Sequence, residues 1–361
     1  MRKLLHYFAL LLLIASASAQ DAKTKIASEI TRLQKISSAQ PADDEMWKDV
    51  RPGIDRFLML ANEALKRGDI YFALEELGKA NEYVVGAQMT QQPPEVAKQG
   101  LEGFEAKWKT ASVELVALDK TAKQRDWTGI PAAVRAVGES GQGQAITLLE
   151  ASRAYASVTD PSAGYFYLGQ AKANEDFSSF AHGLALKQQG TTFKLRSIGA
   201  ELHELQQKVN AAFVPPRSID KHPEFIRLNS TIKLAGELDA AKLYAGALYQ
   251  YLSAVSQFAL LDGKEIDDAT KTALPNQIAE ARSNLAKSGR DNSIAEMFLQ
   301  RAEVLISKKN GSDPSAIEWQ NAASVISALV PAYNDVVSSR AAAPTQYAHA
   351  VTVTLVRWPY T

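Results

Sequence analysis

Apolar residues recur at helical spacing on both sides of a Gly-Asp pair in the first quarter of the chain. The pair is Gly68-Asp69. Glycine suits the left-handed end of a helix, and aspartate can cap the next helix by accepting its free N–H groups. The pattern therefore predicts two short helices joined by a tight turn. Its apolar positions are Phe57, Leu60, Ala61, Ala64, Ala73, Leu77 and Ala80.

The same order of positions returns twice further along the chain. Asp160 and Asp291 each precede a small residue, a leucine and an alanine at the offsets found after Asp69. A looser copy begins at Gly236. Because the spacing is helical, the leucine of each copy is expected to fill the gap between two paired helices. The leucines predicted to be buried at equivalent positions are Leu77, Leu168 and Leu299.

This register resembles the hairpin of tetratricopeptide repeats, in its order of bulky, small, aromatic, Gly-Asp, alanine, bulky and alanine positions. In that family the first helix of each hairpin lines a concave groove, so the resemblance implies a groove for a protein or peptide. The aspartates at 69, 160 and 291 are spaced much more widely than the ~34 residues of a tandem array. Any antiparallel helical hairpin also converges on this pattern. The residues that the resemblance places in the groove are Asn62, Leu65, Arg153, Asn284 and Lys287.

Helical periodicity continues through most of the remaining chain, with proline and glycine as predicted interruptions. A kink or break is expected at Pro52-Gly53, and breaks are expected at the glycines between 138 and 143 and at Pro331. Ser293 and Glu296 have the spacing of a capping box at the start of a helix.

The end of the chain differs from the rest. Residues 348–360 alternate β-branched with other residues, which predicts one strand or a tail without fixed structure. As a strand it could add to the sheet edge of a partner, with Trp358 as an aromatic anchor. No other strand pattern occurs, so the predicted fold class is all-α, with antiparallel helical hairpins in an irregular solenoid or helical array. Pro215-Pro216 suggests a boundary, so the predicted regions are 20–214, 217–335 and an extended tail, 336–361.

Aromatic side chains gather around residues 165–167 and 244–251. Such clusters line grooves for sugars, peptides or lipids, but on helices they more often form core. Three consecutive aromatic residues cannot all face inward on one helix. At least one of the three residues Tyr165, Phe166 and Tyr167 is therefore expected to be exposed or to lie at a helix–helix contact. This makes Tyr165 and Tyr167 candidate partner-binding residues.

The segment Met1–Ala19 has the pattern of a secretory signal peptide. Arg2 and Lys3 precede an apolar run that is too short to span a bilayer, and Ala17-Ser18-Ala19 forms a cleavage motif. We predict cleavage before Gln20, export, and no transmembrane segment in the mature chain. The chain contains no cysteine, a composition that fits a bacterial periplasmic or extracellular protein better than a eukaryotic one.

Charge and motif content narrow the functional classes. The formal net charge is zero, so the basic face that nucleic acid requires is not expected. Without cysteine there is neither a thiol nucleophile nor a thiolate metal site. His203 is followed one turn later by Gln207, where a zinc-binding helix needs a second histidine. We therefore predict no cofactor and no metal.

The predicted function is that of an exported, non-catalytic helical scaffold that binds a protein or peptide. Two alternatives remain open. The aromatic clusters also fit a periplasmic helical protein that binds a small ligand or carbohydrate, and carboxylates from distant segments could converge in a helical enzyme of unrecognised type. A pocket with converging carboxylates would favour the alternatives, and an open concave surface would favour the scaffold.

Overall fold

Helices form the fold throughout the part of the chain that the structure describes. The computed structural model describes residues 2–41, 43–215, 218–261, 265–309 and 311–338, with side chains from residue 20 onward. Apart from two isolated bridges, these residues form no strand, so the all-α prediction is confirmed. The predicted C-terminal strand and Trp358 lie outside the described residues. The α-helices are α1 (Arg2–Ser38), α2 (Glu45–Arg67), α3 (Ile70–Thr90), α4 (Pro94–Ala97), α5 (Gly100–Ala122), α6 (Ala132–Tyr155), α7 (Ser162–Gly183), α8 (Gly199–Ala212), α9 (His222–Ala240), α10 (Tyr244–Leu261), α11 (Asp268–Lys287), α12 (Ser293–Ile306), α13 (Ala316–Ser324) and α14 (Val330–Ser338).

Most helices pack against their neighbours in sequence. Three pairs, α2 with α3, α6 with α7 and α9 with α10, make extensive contact. Helix α3 then packs on α7, and α6 packs on α10, which joins the three pairs into one array. Helix α1 lies against α2 and α3, and α12 contacts α3, α6 and α13. The described residues thus form thirteen helices, with α13 and α14 counted as one continuous helix.

The leucines of the repeated register are buried, as predicted. Leu77, Leu168 and Leu299 each have 0% exposure. Leu77 lies in a hydrophobic cluster built mainly by α1–α3, and Leu168 in a cluster of α5–α7. Leu299 lies in the large cluster to which α6 and α8–α14 contribute. The same position in the register therefore fills three different parts of the core.

The helix continues at two positions where the sequence suggests an interruption. Of the two alternatives at Pro52, a kink or a break, the break does not occur: helix α2 continues through this proline, which is exposed, so water can satisfy the carbonyl that it leaves without a donor. The break predicted at the glycines of α6 is wrong. Helix α6 continues through Gly138 and Gly143. An added Cβ would lie 2.7 Å from the Trp127 ring at the first of these glycines and 2.7 Å from Leu238 at the second. The glycines of α6 therefore allow close packing and do not form a turn.

The predicted stop at Pro331 is also wrong, because α14 continues to Ser338. The turn before it, Val325–Leu329, is a π-helix. A proline ring clashes with the carbonyl four residues earlier, here that of Ser327, and a widened turn relieves this clash. The chain thus bypasses the proline by a local change of helix type.

The start of α3 is capped by a distant residue. Asp69, the predicted cap, accepts a hydrogen bond from Nε of Arg67 at 3.1 Å and makes no side-chain bond to the start of α3. The N–H of Phe72 donates instead to Oε1 of Gln300, on α12, at 3.1 Å. The local capping prediction for Asp69 is therefore wrong, and the cap joins α3 to α12.

The start of α6 is capped in the same way from the start of α12. The N–H of Ala132 donates to Oδ2 of Asp291 at 2.8 Å, and the N–H of Ala133 donates to Oγ of Ser293 at 2.9 Å. The predicted capping box at Ser293 is wrong, because Glu296 pairs with an arginine of α11. Oδ1 of Asp291 accepts the N–H of Ser293 at 3.0 Å, so one carboxylate serves both helix starts.

Candidate functional site

Several predicted partner-binding residues lie in separate parts of the fold. Leu65 is 5% exposed in the α1–α3 cluster, and Tyr165 is 3% exposed in the α5–α7 cluster, where its ring lies 5.2 Å from that of Phe104. Asn284 and Lys287 are exposed on α11, and Nζ of Lys287 donates to Oδ1 of Asn284 at 3.1 Å. Their role in partner binding stays a prediction.

The remaining predicted residues lie on α2, α6 and α7. Arg153 lies over the ring of Trp108, 4.8 Å from its centroid. Tyr167 is half-buried and stacks on Tyr155 with 4.8 Å between ring centroids. Asn62 is half-buried on α2. Of the predicted set, Tyr167 is the residue that belongs to a larger aromatic surface.

This surface is a row of five rings that crosses four helices. We call the row, which consists of Phe57, Tyr83, Phe166, Tyr167 and Tyr155, the aromatic row. Successive ring centroids lie 5.7, 6.1, 5.9 and 4.8 Å apart. The first four rings are half-buried, and Tyr155 is 59% exposed. The row therefore forms an unbroken series of ring contacts across α2, α3, α7 and α6, and each of its residues keeps part of its surface exposed.

The sequence identified only part of the aromatic row. The cluster around residue 166 predicts a ring that is exposed or lies at a helix–helix contact, and Phe166 and Tyr167 are half-buried and contact rings of other helices. The repeated register assigns Tyr155 to the same position as Ala64, which is buried, yet Tyr155 is mostly exposed. Tyr83 has no local signal, because its neighbours in the row come from other helices.

A close crossing of α3 and α7 positions the centre of the aromatic row. An added Cβ on Gly169 would lie 2.6 Å from the carbonyl oxygen of Val85 and 2.8 Å from Cα of Gly86. The two backbones therefore touch, and the rings of Tyr83 and Phe166 meet beside the crossing. A side chain at position 169 would therefore meet the backbone of α3, whereas one at Gly86 would meet the side chains of Phe166 and Gln170.

We expect Gly169→Ala to lower the free energy of unfolding by about 1–3 kcal/mol, since the new methyl group meets backbone atoms that cannot rotate away. Gly236→Ala on α9 is the matched control, because no atom lies within 4 Å of its Cβ position. The control is expected to stabilise by about 0.5–1 kcal/mol through helix propensity. Denaturant titration checks both, and equal midpoints for the two variants would contradict the crossing.

A half-buried carboxylate, that of Glu82, adjoins Tyr83 of the aromatic row on α3. Oε2 of Glu82 accepts hydrogen bonds from Nδ2 of Asn174 at 3.1 Å and Nε2 of Gln144 at 3.3 Å. Oε1 accepts no hydrogen bond from the described residues. Burial raises the pKa of Glu82 to about 7. Glu82 therefore titrates near neutral pH at the junction of α3, α6 and α7.

A network of buried charges lies one to two turns earlier on α3. We call it the charged cluster; its members are Glu75, Glu76, Lys79, Tyr249 and Arg301. Nζ of Lys79 lies 2.8 Å from Glu75 and 2.6 Å from Glu76, and the Tyr249 hydroxyl donates to Glu75 at 2.8 Å. Arg301 also pairs with Glu75. Burial alone would raise the pKa of Glu75, but these two cations together hold it below its usual value.

The raised pKa of Glu82 links stability to pH. The folded chain keeps a proton up to about pH 7, whereas the unfolded chain loses it near 4.5. This contribution to stability is full below pH 4.5 and is lost as pH rises to about 7. Relative to wild type, Glu82→Gln is therefore expected to gain free energy of unfolding across this window and to level off above it. Urea titrations at stepped pH check this, and a pH-independent difference would contradict it.

A separate cleft of about 600 Å³ lies where the loops before α6, α8 and α10 meet. It contains Arg135, Glu139 and Asp291. Nε of Arg135 lies 2.6 Å from Glu139, which also accepts the N–H of Gly246 at 2.9 Å. Asp291 caps α6 and α12. The buried carboxylates of this cleft are thus engaged in contacts that hold the helices together.

The described residues include no group of three or more histidines and carboxylates arranged to hold a metal ion. Gln207, which follows His203 by one turn, has its Nε2 3.0 Å from Nε2 of that histidine. Among the same residues, no helix is both long enough and apolar enough to cross a membrane.

The fold and these contacts define an all-α protein of thirteen described helices that pack in adjacent pairs. No known protein-family model matches the chain, and comparisons with curated proteins and with solved structures also gave no match.

Proposed function

We propose that the chain is an exported, non-catalytic helical scaffold that binds an extended segment of a partner protein along the aromatic row. The observation that carries the proposal is the row itself. Five rings from four helices form one continuous, partly exposed surface. Exposed aromatic side chains are enriched at protein interfaces, where they contribute much of the binding energy.

The spacing of the rings supports an extended peptide as the ligand. In an extended chain, side chains on one face repeat every ~6.6 Å. Ring centroids in the aromatic row are 4.8–6.1 Å apart. Alternate side chains of a bound peptide can therefore each contact a different ring.

A chain of sugar rings is the competing ligand, since sugars also stack on aromatic faces. The experiment therefore offers both to the full-length protein. One library holds capped heptapeptides with apolar residues at odd positions and serine at even positions, and a second array holds common glycans. Peptide binding supports the proposal, and binding confined to glycans would overturn it.

Variants locate the binding surface. We expect Tyr83→Ala and Tyr167→Ala each to weaken binding about tenfold or more to the library peptides that the unmodified protein binds, as truncation of interface aromatics does. Ile226→Ala on α9 is the control, because that side chain is 54% exposed and lies outside the row. Circular dichroism must show all three variants folded. Equal binding by all three variants would exclude the aromatic row as the peptide-binding surface.

Export is part of the proposal and has its own test. Cleavage before Gln20 would cut α1 but keep its buried positions Ala22, Ile26, Ile30 and Leu33, which belong to the α1–α3 cluster. Mass spectrometry of the protein produced in a bacterial host with its own N-terminus should show loss of Met1–Ala19 in the periplasmic fraction. A full-length, cell-internal product would overturn the localisation.

A further inference from the structure

Glu82, which is half-buried, differs from the buried acids earlier on α3. Glu75 and Glu76 are both paired with Lys79, and Glu75 also pairs with Arg301. Among the described residues, Glu82 has no cation within ion-pair distance, and its two donors are neutral amides. Since the charged cluster balances itself, Glu82 is the acid whose charge is left without a counterion.

The two oxygens of Glu82 are also used unequally. Both amide donors bind Oε2, which fixes the carboxylate at the junction of three helices. Oε1 remains open as an acceptor. The next residue on α3 is Tyr83, and the two amide donors come from α6 and α7, the helices that carry Tyr155, Phe166 and Tyr167 of the aromatic row. A donor that reaches Oε1 would thus lie where three helices of the row meet.

We infer that the aromatic row binds peptides with a lysine or arginine side chain, whose cation is held by Oε1 of Glu82 beside the ring of Tyr83. This inference rests on the proposed function. Two interactions would stabilise a bound cation here: a charge-assisted hydrogen bond to the carboxylate and a contact with the face of an aromatic ring. Apolar side chains on either side of the basic residue would cover the neighbouring rings.

Binding of a cation requires the ionised form of Glu82. The charged and titratable groups around it are Lys79 and Tyr83 on its own helix, while α6 and α7 contribute the neutral Gln144 and Asn174. Lys79 is already held by two glutamates. Affinity for a basic peptide is therefore expected to rise roughly tenfold from pH 6 to pH 8, as Glu82 loses its proton.

The experiment uses the full chain and capped heptapeptides in which one odd position carries lysine, norleucine or glutamate, with the substitution placed at each odd position in turn. We expect the best lysine peptide to bind about tenfold more tightly than its norleucine counterpart at pH 8. Glu82→Gln, which keeps an acceptor but has no charge, should remove both this preference and the pH dependence.

The outcomes separate the inference from the proposed function. Equal binding of lysine and norleucine peptides, with binding still lost in Tyr83→Ala, would overturn the role of Glu82 and leave the scaffold proposal standing. A lysine preference that survives in Glu82→Gln would also overturn it. Absence of binding to any peptide would overturn the proposed function and the inference together.

Discussion

Arg301→Met is expected to lower the free energy of unfolding by about 3–5 kcal/mol. Arg301 pairs with Glu75, which is 5% exposed, and removal of the arginine leaves that buried carboxylate with less compensation. Methionine keeps most of the apolar stem, while the cation–π contact of the guanidinium with Phe298, whose ring centroid lies 4.8 Å away, is lost together with the charge. The loss therefore reports the charge and not the packing. Urea denaturation followed by circular dichroism measures it.

A double-mutant cycle provides the control. If the unpaired charge causes the loss, the double variant Glu75→Gln/Arg301→Met should lose less free energy of unfolding than the two single variants lose together. The reason is that the double variant leaves neither buried charge unpaired. Lys208→Met removes a partner of Glu204 from an exposed pair and should change stability by less than about 0.5 kcal/mol. A loss for Arg301→Met as small as that of Lys208→Met would contradict the role of the charged cluster.

Helices and their pairing in hairpins are predictable here because they depend on residues close together in sequence. Apolar spacing identified the two helices around Gly68, and the left-handed φ of +87° at this glycine ends α2 as expected. The predictions of helix breaks are wrong where glycine, which can end a helix, instead allows two helices to pack closely. Gly138 and Gly143 have the composition of a break, but their function depends on Trp127 and Leu238, which approach from outside α6.

Helix capping shows why tertiary contacts were beyond sequence analysis. The local rule assigned the cap of α3 to Asp69, yet Gln300 from α12 provides it. Glu139 of α6 likewise accepts the N–H of Gly246 in α10. These caps depend on which helices contact each other in the fold, and local sequence patterns do not identify contacts between helices that are distant in sequence.

The candidate site was predictable only in its exposed part. Tyr167 is suggested by its position in an aromatic run, whereas Phe57 and Tyr83 join the row through contacts between helices. In the sequence, Glu82 is indistinguishable from a solvated glutamate on an amphipathic helix. Its carboxylate lies against Gln144 of α6 and Asn174 of α7, so its raised pKa depends on contacts between helices that are distant in sequence.

The second large expected effect concerns the repeated register. Leu77→Ala, Leu168→Ala and Leu299→Ala are each expected to lower the free energy of unfolding by about 2–5 kcal/mol. Each side chain has no exposed surface, so its removal loses the transfer free energy of the buried carbons and leaves a cavity. Leu118→Ala on α5 is the matched control, because Leu118 is 39% exposed and should cost less than about 1 kcal/mol.

Combination of these changes tests whether the register serves independent parts of the core. The three leucines belong to three different hydrophobic clusters, and distant sites without shared partners add within about 0.5 kcal/mol. The loss in free energy of unfolding of the Leu77→Ala/Leu299→Ala double variant should therefore equal the sum of the losses of the two single variants. Urea titration measures this, at a temperature low enough to keep the double variant folded. Strong departure from additivity would show that the clusters are coupled into one core. Single losses no larger than that of Leu118→Ala would show that the repeated register has no role in packing.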